Sequence, residues 1–224
     1  MRTGIALLLV LLAQPVPKLR GAVPQERVVD RIVARIEDGI LTLSEVRELG
    51  SFQQLVNGCG AATSGDAPRD AELIERLIDQ WIVHTEATAS RFPRASAAGV
   101  QREIEHLEKQ FATAEAYRAR LRELGLTPEM VARHVERQLY LARYLDYKFR
   151  PAVQVEIVQV RKYYEEQLLP ELKRRGEQAP ALEKVEAQIH ELLTQREITA
   201  RTKLWLEETR ARLRIEVAGK ESGK

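Results

Sequence analysis

The sequence predicts a mainly α-helical protein in which a strand near the N-terminus pairs with a strand at the C-terminus. Three observations favour this fold class. Leu, Ala, Glu and Arg dominate the composition, and aromatic residues make up only 5% of it, which is typical of helical proteins. Apolar residues recur at three- and four-residue spacing along most of the chain. Near its two ends they alternate with charged residues instead, which is the pattern of a half-buried strand.

Length and charge limit the organisation and the partners of the chain. Its 224 residues are enough to bury one sizeable core. The 35 Lys and Arg residues nearly balance the 33 Asp and Glu residues, so nothing indicates a nucleic-acid partner. We expect a signal peptide over 1–22, a helical domain over 23–153, a linker helix, closing helix and strand over 154–217 that complete the same core, and a disordered tail over 218–224.

The N-terminus has the pattern of an export signal. Met1 and Arg2 form a positively charged start, and an apolar run of ten residues follows from Gly4 to Ala13. This run is too short for a membrane span, which needs about 20 residues, and it has the length of a secretory signal. We therefore expect export, with no stable membrane span after the signal is removed. The cleavage site is not defined by the sequence, and retention as an uncleaved anchor is the alternative.

The stretch from Arg27 to Glu48 has the pattern of a short strand, a tight turn and the beginning of a helix. Its strand places apolar residues on one face and arginines on the other: Val28, Ile32, Ala34 and Ile36 against Arg31 and Arg35. Gly39 is expected to close the turn, because glycine adopts a positive φ at no steric cost. Thr42 and Glu45 have the spacing of a capping box. The only other good strand candidate is Leu213 to Val217, so the two ends of the chain are expected to meet.

The rest of the chain is expected to be a succession of amphipathic helices with recognisable caps. Ser96, Thr113 and Thr127 are the expected N-caps, Pro128 occupies a first helical position, and Gly125 ends the helix before it. The segment from 57 to 69 is rich in Gly, Ala, Ser and Thr and is expected to be a loop. Further helices are expected over about 42–56, 70–91, 127–147, 156–174 and 182–212, with one beginning at Ser96 and one at Thr113.

No enzyme motif is recognisable in the sequence. It contains no HExxH, P-loop, GxGxxG or GxSxG pattern, so we expect no catalytic residue and no cofactor. We also expect no metal site, because none of the four histidines lies at a metal-ligand spacing from another. They are His84, His106, His134 and His190. Cys59 is the only cysteine, which excludes an internal disulfide. We interpret it as an incidental thiol, with a catalytic or intermolecular role as the alternative.

One aromatic stripe is a candidate binding feature. Tyr140, Tyr144 and Tyr147 recur at i, i+4 and i+7 on a predicted helix, and Phe149 follows closely. One interpretation is packing at the edge of the core. The other is an aromatic ledge for an extended, apolar-rich peptide, since tyrosine offers a large contact area with a polar tip at low entropy cost. The second interpretation predicts Tyr140, Tyr144, Tyr147 and Phe149 as peptide-binding residues.

Several segments together resemble the SurA/PpiC family of periplasmic chaperones, whose members carry peptidyl-prolyl isomerase domains. The segments are Val28 to Ala34, Leu43 to Val46, Leu124 to Val153, Val160 to Glu165 and Leu182 to Val217. The resemblance implies a SurA-like helical chaperone core closed by the predicted strand pairing. In the family a parvulin-type isomerase domain follows the Tyr163-Tyr164-Glu165 segment. Here only Glu166 to Ala181 separate it from the closing helix, too few residues for such a domain, so isomerase activity is not expected.

The resemblance also implies a function and a location. It implies a periplasmic, ATP-independent chaperone that binds unfolded or nascent exported polypeptides, outer-membrane β-barrel precursors among them, in an apolar helical groove and without catalysis. Two alternatives remain open. One is a periplasmic scaffold or assembly subunit for one specific partner, acting as a homodimer through its long terminal helix. The other is a residual peptidyl-prolyl isomerase.

Overall fold

The computed structural model describes residues 30–58 and 70–218. Over this part of the chain the fold is mainly α-helical with one small antiparallel sheet, as the sequence predicts. The expected signal over 1–22, the strand residues before Asp30, Cys59 and residues 219–224 of the expected tail lie outside the described residues.

The sheet joins the two ends of the described chain. It contains β1 (Ile32–Ile36), β2 (Gly39–Thr42) and β3 (Ile215–Val217), in the order β2-β1-β3 with antiparallel neighbours. The predicted pairing of an N-terminal with a C-terminal strand is confirmed by the register of β1 with β3. The Ala218 N–H also donates to the Val33 carbonyl at 2.9 Å, so the pairing extends to the first residue of the expected tail.

The strand β1 contains an irregularity that the alternating pattern does not reveal. Its register with β2 shifts between Ile32 and Ala34, as in a β-bulge. Val33 is only 4% exposed as a result, whereas Ile32 is 38% exposed. The expectation that Ile32 shares the buried face of Ala34 and Ile36 is therefore wrong, because an extra residue in one strand moves the preceding side chain to the other face.

The turn is formed by Glu37 and Asp38, one residue earlier than predicted, and the expectation that Gly39 adopts a positive φ is wrong. The residue with positive φ is Glu37, at 49°, and Gly39 begins β2, a strand that was not predicted. A Cβ atom on Gly39 would lie 2.5 Å from Nε1 of Trp81. Glycine is needed here because the hairpin backbone lies directly against the indole ring.

The helices of the N-terminal half follow their predicted caps. Their bounds are α1 (Leu43–Asn57), α2 (Asp70–Ala89), α3 (Ala97–Glu108), α4 (Ala114–Leu124) and α5 (Pro128–Phe149). The capping box of Thr42 and Glu45 is present at the beginning of α1. Gly125 adopts a left-handed conformation with φ of 66°, which ends α4 as expected.

The C-terminal half begins with a 3₁₀ turn, Arg150–Ala152, and continues as α6 (Ile157–Tyr163), a π-helical turn (Tyr164–Leu168), α7 (Leu169–Arg175) and α8 (Leu182–Arg210). The single helix expected over 156–174 therefore contains a π-helical turn. Pro170 lacks an N–H and cannot make an α-helical hydrogen bond, and the Leu169 N–H before it bonds to the Tyr164 carbonyl, five residues back.

Three clusters of buried side chains form the core of the described residues. The first lies between the sheet, α1 and α2, the second between α1, α3, α4 and α5, and the third between α2 and α5. Helix α8 covers the first and third clusters through Trp205 and Leu206. Helix α5 contributes to two clusters, so opposite faces of it are buried against different neighbours.

Candidate functional site

An open groove lies between α1, α3 and α5. It has a volume of about 260 Å³ and mostly apolar walls, formed by Phe52, Val56, Leu107, Val135, Leu139 and Ala142. Its polar rim consists of Glu103, His106, Gln110 and Gln138. The volume is below the range of about 300–1,000 Å³ that is typical of small-molecule pockets. The groove is therefore better suited to apolar side chains of a polypeptide than to an enclosed small molecule.

The floor of the groove is part of the second core cluster, and its edge is open to solvent. Phe52, Leu107 and Val135 are buried in that cluster. Val56 lies in the last turn of α1 and is 39% exposed, and Ala142 is exposed on α5. A ligand in the groove would thus contact a preformed apolar floor without opening the core.

The predicted aromatic ledge is partly buried. Tyr140 and Tyr144 are only 7% and 2% exposed, in the third core cluster. Their hydroxyl groups lie 3.4 Å from the Phe92 carbonyl and 3.5 Å from the Ser90 hydroxyl. Tyr147 is 65% exposed and its ring centroid lies 5.3 Å from that of Phe92. Packing therefore accounts for two of the three tyrosines.

Phe149 lies apart from the tyrosine stripe. It is half-buried against Trp205, with 5.9 Å between the ring centroids. The tyrosine stripe is also separate from the groove. Tyr144 follows Val135 by nine residues, which at about 100° per residue places it on the opposite side of α5. The peptide-binding role of these four aromatic residues stays a prediction, and Tyr147 is the exposed member of the set.

A second, more polar cleft lies between β2, α1, α2 and α5. It consists of two adjoining cavities of about 150 and 200 Å³ that share Glu45, Leu77 and Arg137. We call it the Arg137 cleft. The smaller cavity is bounded by Trp81 and His84, and the larger one by residues on α1 and α5, among them His134.

His134 is a buried titratable group that the sequence analysis did not single out. Its ring stacks on Phe52, with 4.7 Å between centroids. Its Nε2 atom lies 3.0 Å from a carboxylate oxygen of Glu48, without the alignment of a hydrogen bond. Burial lowers the pKa of His134, and this effect outweighs the opposite influence of the Glu48 charge. One sequence feature could have indicated that His134 is buried: it lies three residues after Val131, on the apolar face of α5.

No protein-family model matches the chain, and a sequence search finds no significant match among curated proteins. Within 30–58 and 70–218, no helix combines the length and the apolar character that a membrane span requires. The same residues contain no group of three or more His, Cys, Asp or Glu side chains able to hold a metal ion.

Proposed function

We propose that this protein is an exported, ATP-independent chaperone that binds apolar segments of unfolded polypeptides in the α1–α3–α5 groove, without catalysing a reaction. The observation that carries the proposal is the groove itself, an apolar floor that three helices hold open to solvent. The resemblance to SurA-type chaperones supports it, and so does the observed pairing of β1 with β3, which that resemblance implies.

The size of the groove suits weak and unspecific binding. Burial of one large apolar side chain contributes about 1.5–3 kcal/mol, and the groove has room for only one or two such side chains. Net affinity would be lower still, because binding orders the polypeptide. Such contacts allow a client to be released without ATP. An apolar floor without a buried charge also selects for hydrophobic character rather than for one sequence.

The location and the clients follow from the same proposal. An export signal would deliver the protein to the periplasm, where unfolded outer-membrane β-barrel precursors present alternating apolar residues. Several large apolar side chains are exposed outside the groove and would add secondary contacts: Ile40, Tyr147, Ile157, Val158 and Leu204. The exposed faces of the helices are rich in charge, which would keep a protein–client complex in solution.

A matched pair of double variants tests the groove. Val56→Glu with Ala142→Glu places two charges at its exposed edge without removing a buried side chain. We expect binding of an unfolded β-barrel protein to weaken by about tenfold or more, since its apolar side chains would lie beside unpaired carboxylates. The measurement is suppression of aggregation, followed by light scattering, together with the affinity for the same client.

The control double variant adds the same charges elsewhere. Ala119→Glu with Ala200→Glu changes two exposed alanines on α4 and α8, outside the groove. It should retain the protection of the parent protein. Equal loss in both variants, or protection that survives charges in the groove, would contradict the proposal. Tight binding of one folded partner only, with no binding of unfolded polypeptides, would favour the scaffold alternative.

A further inference from the structure

The Arg137 cleft contains two carboxylates, and both already have partners within the protein. Glu48 lies 3.0 Å from Nε2 of His134 and 3.5 Å from the guanidinium of Arg133. Glu45 accepts the Thr42 N–H at 2.8 Å and the Thr42 hydroxyl at 3.1 Å, which caps α1. Neither carboxylate lies within ion-pair distance of Arg137, so neither of them neutralises the Arg137 charge by direct contact.

Arg137 is an exposed, positively charged residue of this cleft. Its side chain lines both cavities, and no described residue forms a hydrogen bond or an ion pair with its guanidinium. A guanidinium presents its donors in a planar fork that matches the two oxygens of a carboxylate. The cleft therefore offers one anion-binding group, together with the side-chain amide of Gln80 beside it.

Besides Arg137, Gln80, Glu45 and His84, the side chains that line the smaller cavity are apolar. Ile40, Leu41, Leu77 and Trp81 surround a volume of about 150 Å³, which has room for one aliphatic side chain. A bare phosphate or a nucleotide would leave these walls without a partner. A carboxylate joined to an apolar group would satisfy both the guanidinium and the walls.

A polypeptide could reach this cavity beside β2. This strand is at the edge of the sheet, and its outer side has no neighbouring strand in the described part of the chain. An extended chain can add to such an edge through its backbone, as in β-strand addition. Ile40 lies on β2 and lines the cavity, so a chain added here would bring its end close to Arg137.

We propose that the Arg137 cleft binds the C-terminal end of a polypeptide whose last residue is aliphatic, with its carboxylate on Arg137 and its side chain against Trp81. The inference rests on the proposed function only in taking the ligand to be a polypeptide. The site itself is separate from the groove, since Arg137 lies about 160° around α5 from both Val135 and Leu139.

The Arg137 charge also acts on the pKa values of two histidines that line the cleft. Burial lowers the pKa of His84, and the positive charges of Arg137 and Arg94 lower it further. Burial also lowers the pKa of His134, and the Arg137 charge acts in the same direction. A carboxylate bound at Arg137 would oppose both effects and should raise the pKa of each histidine.

The test uses the intrinsic fluorescence of the cleft. The chain contains two tryptophans, so Trp205→Phe leaves Trp81 as the only indole. The probes are three N-acetylated hexapeptides with a Gly-Ser body: one ends in Leu as the free acid, one ends in Leu as the amide, and one ends in Glu-Leu as the amide. The last peptide carries an internal carboxylate and no terminal one. Arg137→Gln in this background removes the proposed ligand of the carboxylate, and Arg161→Gln, an exposed arginine on α6, is the matched control.

We expect the free acid to shift the Trp81 emission and to bind at least tenfold more tightly than either amide. Arg137→Gln should abolish that difference, and Arg161→Gln should preserve it. Equal binding of acid and amide, absence of binding, or loss of binding in both variants overturns the proposal. Preference for the internal carboxylate overturns the chain-end assignment. In each of these cases the groove variants of the preceding section still report on the chaperone function independently.

Discussion

At the scale of single residues, His134 makes the stability of the protein depend on pH. Burial holds its folded-state pKa below the ordinary value of about 6.5, so the unfolded chain takes up a proton first as the pH falls. The stability contributed by the neutral histidine is therefore present above about pH 6.5 and is lost as the pH falls below it. His84 shifts in the same direction and adds to the effect.

We predict that the free energy of unfolding decreases between pH 7.5 and pH 5, and that His134→Gln reduces this decrease. The measurement is urea denaturation at several pH values, in which the slope with pH rather than the absolute stability is compared. His106→Gln changes an exposed histidine on α3 and should keep the slope of the parent protein. An unchanged slope in His134→Gln would show that this histidine is not protonated differently in the folded and unfolded states.

The residue scale also shows which local features could be predicted. The N-caps Ser96, Thr113 and Thr127 were identified because a cap depends on a few adjacent residues. The reason for Gly39 could not be identified, since it depends on Trp81, which is distant in sequence. The β-bulge at Val33 could not be predicted either, because it is defined by the pairing of β1 with β2 and not by the sequence of β1 alone.

At the scale of elements, one arginine connects the C-terminal end of α8 to α2 through hydrogen bonds and ion pairs. The Arg210 guanidinium donates to the carboxylate of Asp79 at 2.7 Å and to the backbone carbonyl of Glu75 at 2.8 Å, and it contacts the Glu75 carboxylate as well. Burial raises the pKa of Asp79, and the Arg210 charge acts against that increase. Because β3 follows α8 directly, this contact also positions the last strand of the sheet.

We predict that Arg210→Gln lowers the free energy of unfolding by about 1–2 kcal/mol, because it removes the hydrogen bond and the positive charge that half-buried Asp79 on α2 receives from Arg210. Arg212→Gln is the control, since Arg212 is exposed and, among the described residues, its guanidinium forms a hydrogen bond only with the Thr209 hydroxyl. It should change stability by less than about 0.5 kcal/mol. Urea denaturation of both variants measures the difference, and equal values would show that α8 is held by its apolar contacts alone.

The candidate site could be predicted only in part from single elements. The tyrosine stripe is a true feature of α5, but periodicity does not say which face of a helix a neighbour covers. Here α2 and Phe92 cover Tyr140 and Tyr144. The groove depends on how α1 and α3 pack beside α5, and no pattern within one of these helices specifies that spacing.

At the scale of the whole molecule, the sheet closes the described chain by joining its ends. Truncation after Arg214 would remove β3 and uncover the edge of β1. We predict a decrease in Tm on the order of 10 °C, since Ile215 and Val217 pack against the first core cluster. Truncation after Ala218 keeps β3 and is the control. Calorimetry compares the two proteins, and identical Tm values would mean that β3 contributes no stability.

The position of β3 also has a consequence for the timing of folding. Ribosomes make this protein from the N-terminus, so β1 and β2 are synthesised long before β3, the second neighbour of β1. The hairpin and the helices can assemble early, but β1 keeps one unpaired edge until residue 217 is available. An incomplete chain from interrupted translation would therefore have an unpaired edge on β1. Such an edge can pair with other chains, so we expect the incomplete chain to aggregate or to be degraded by proteases.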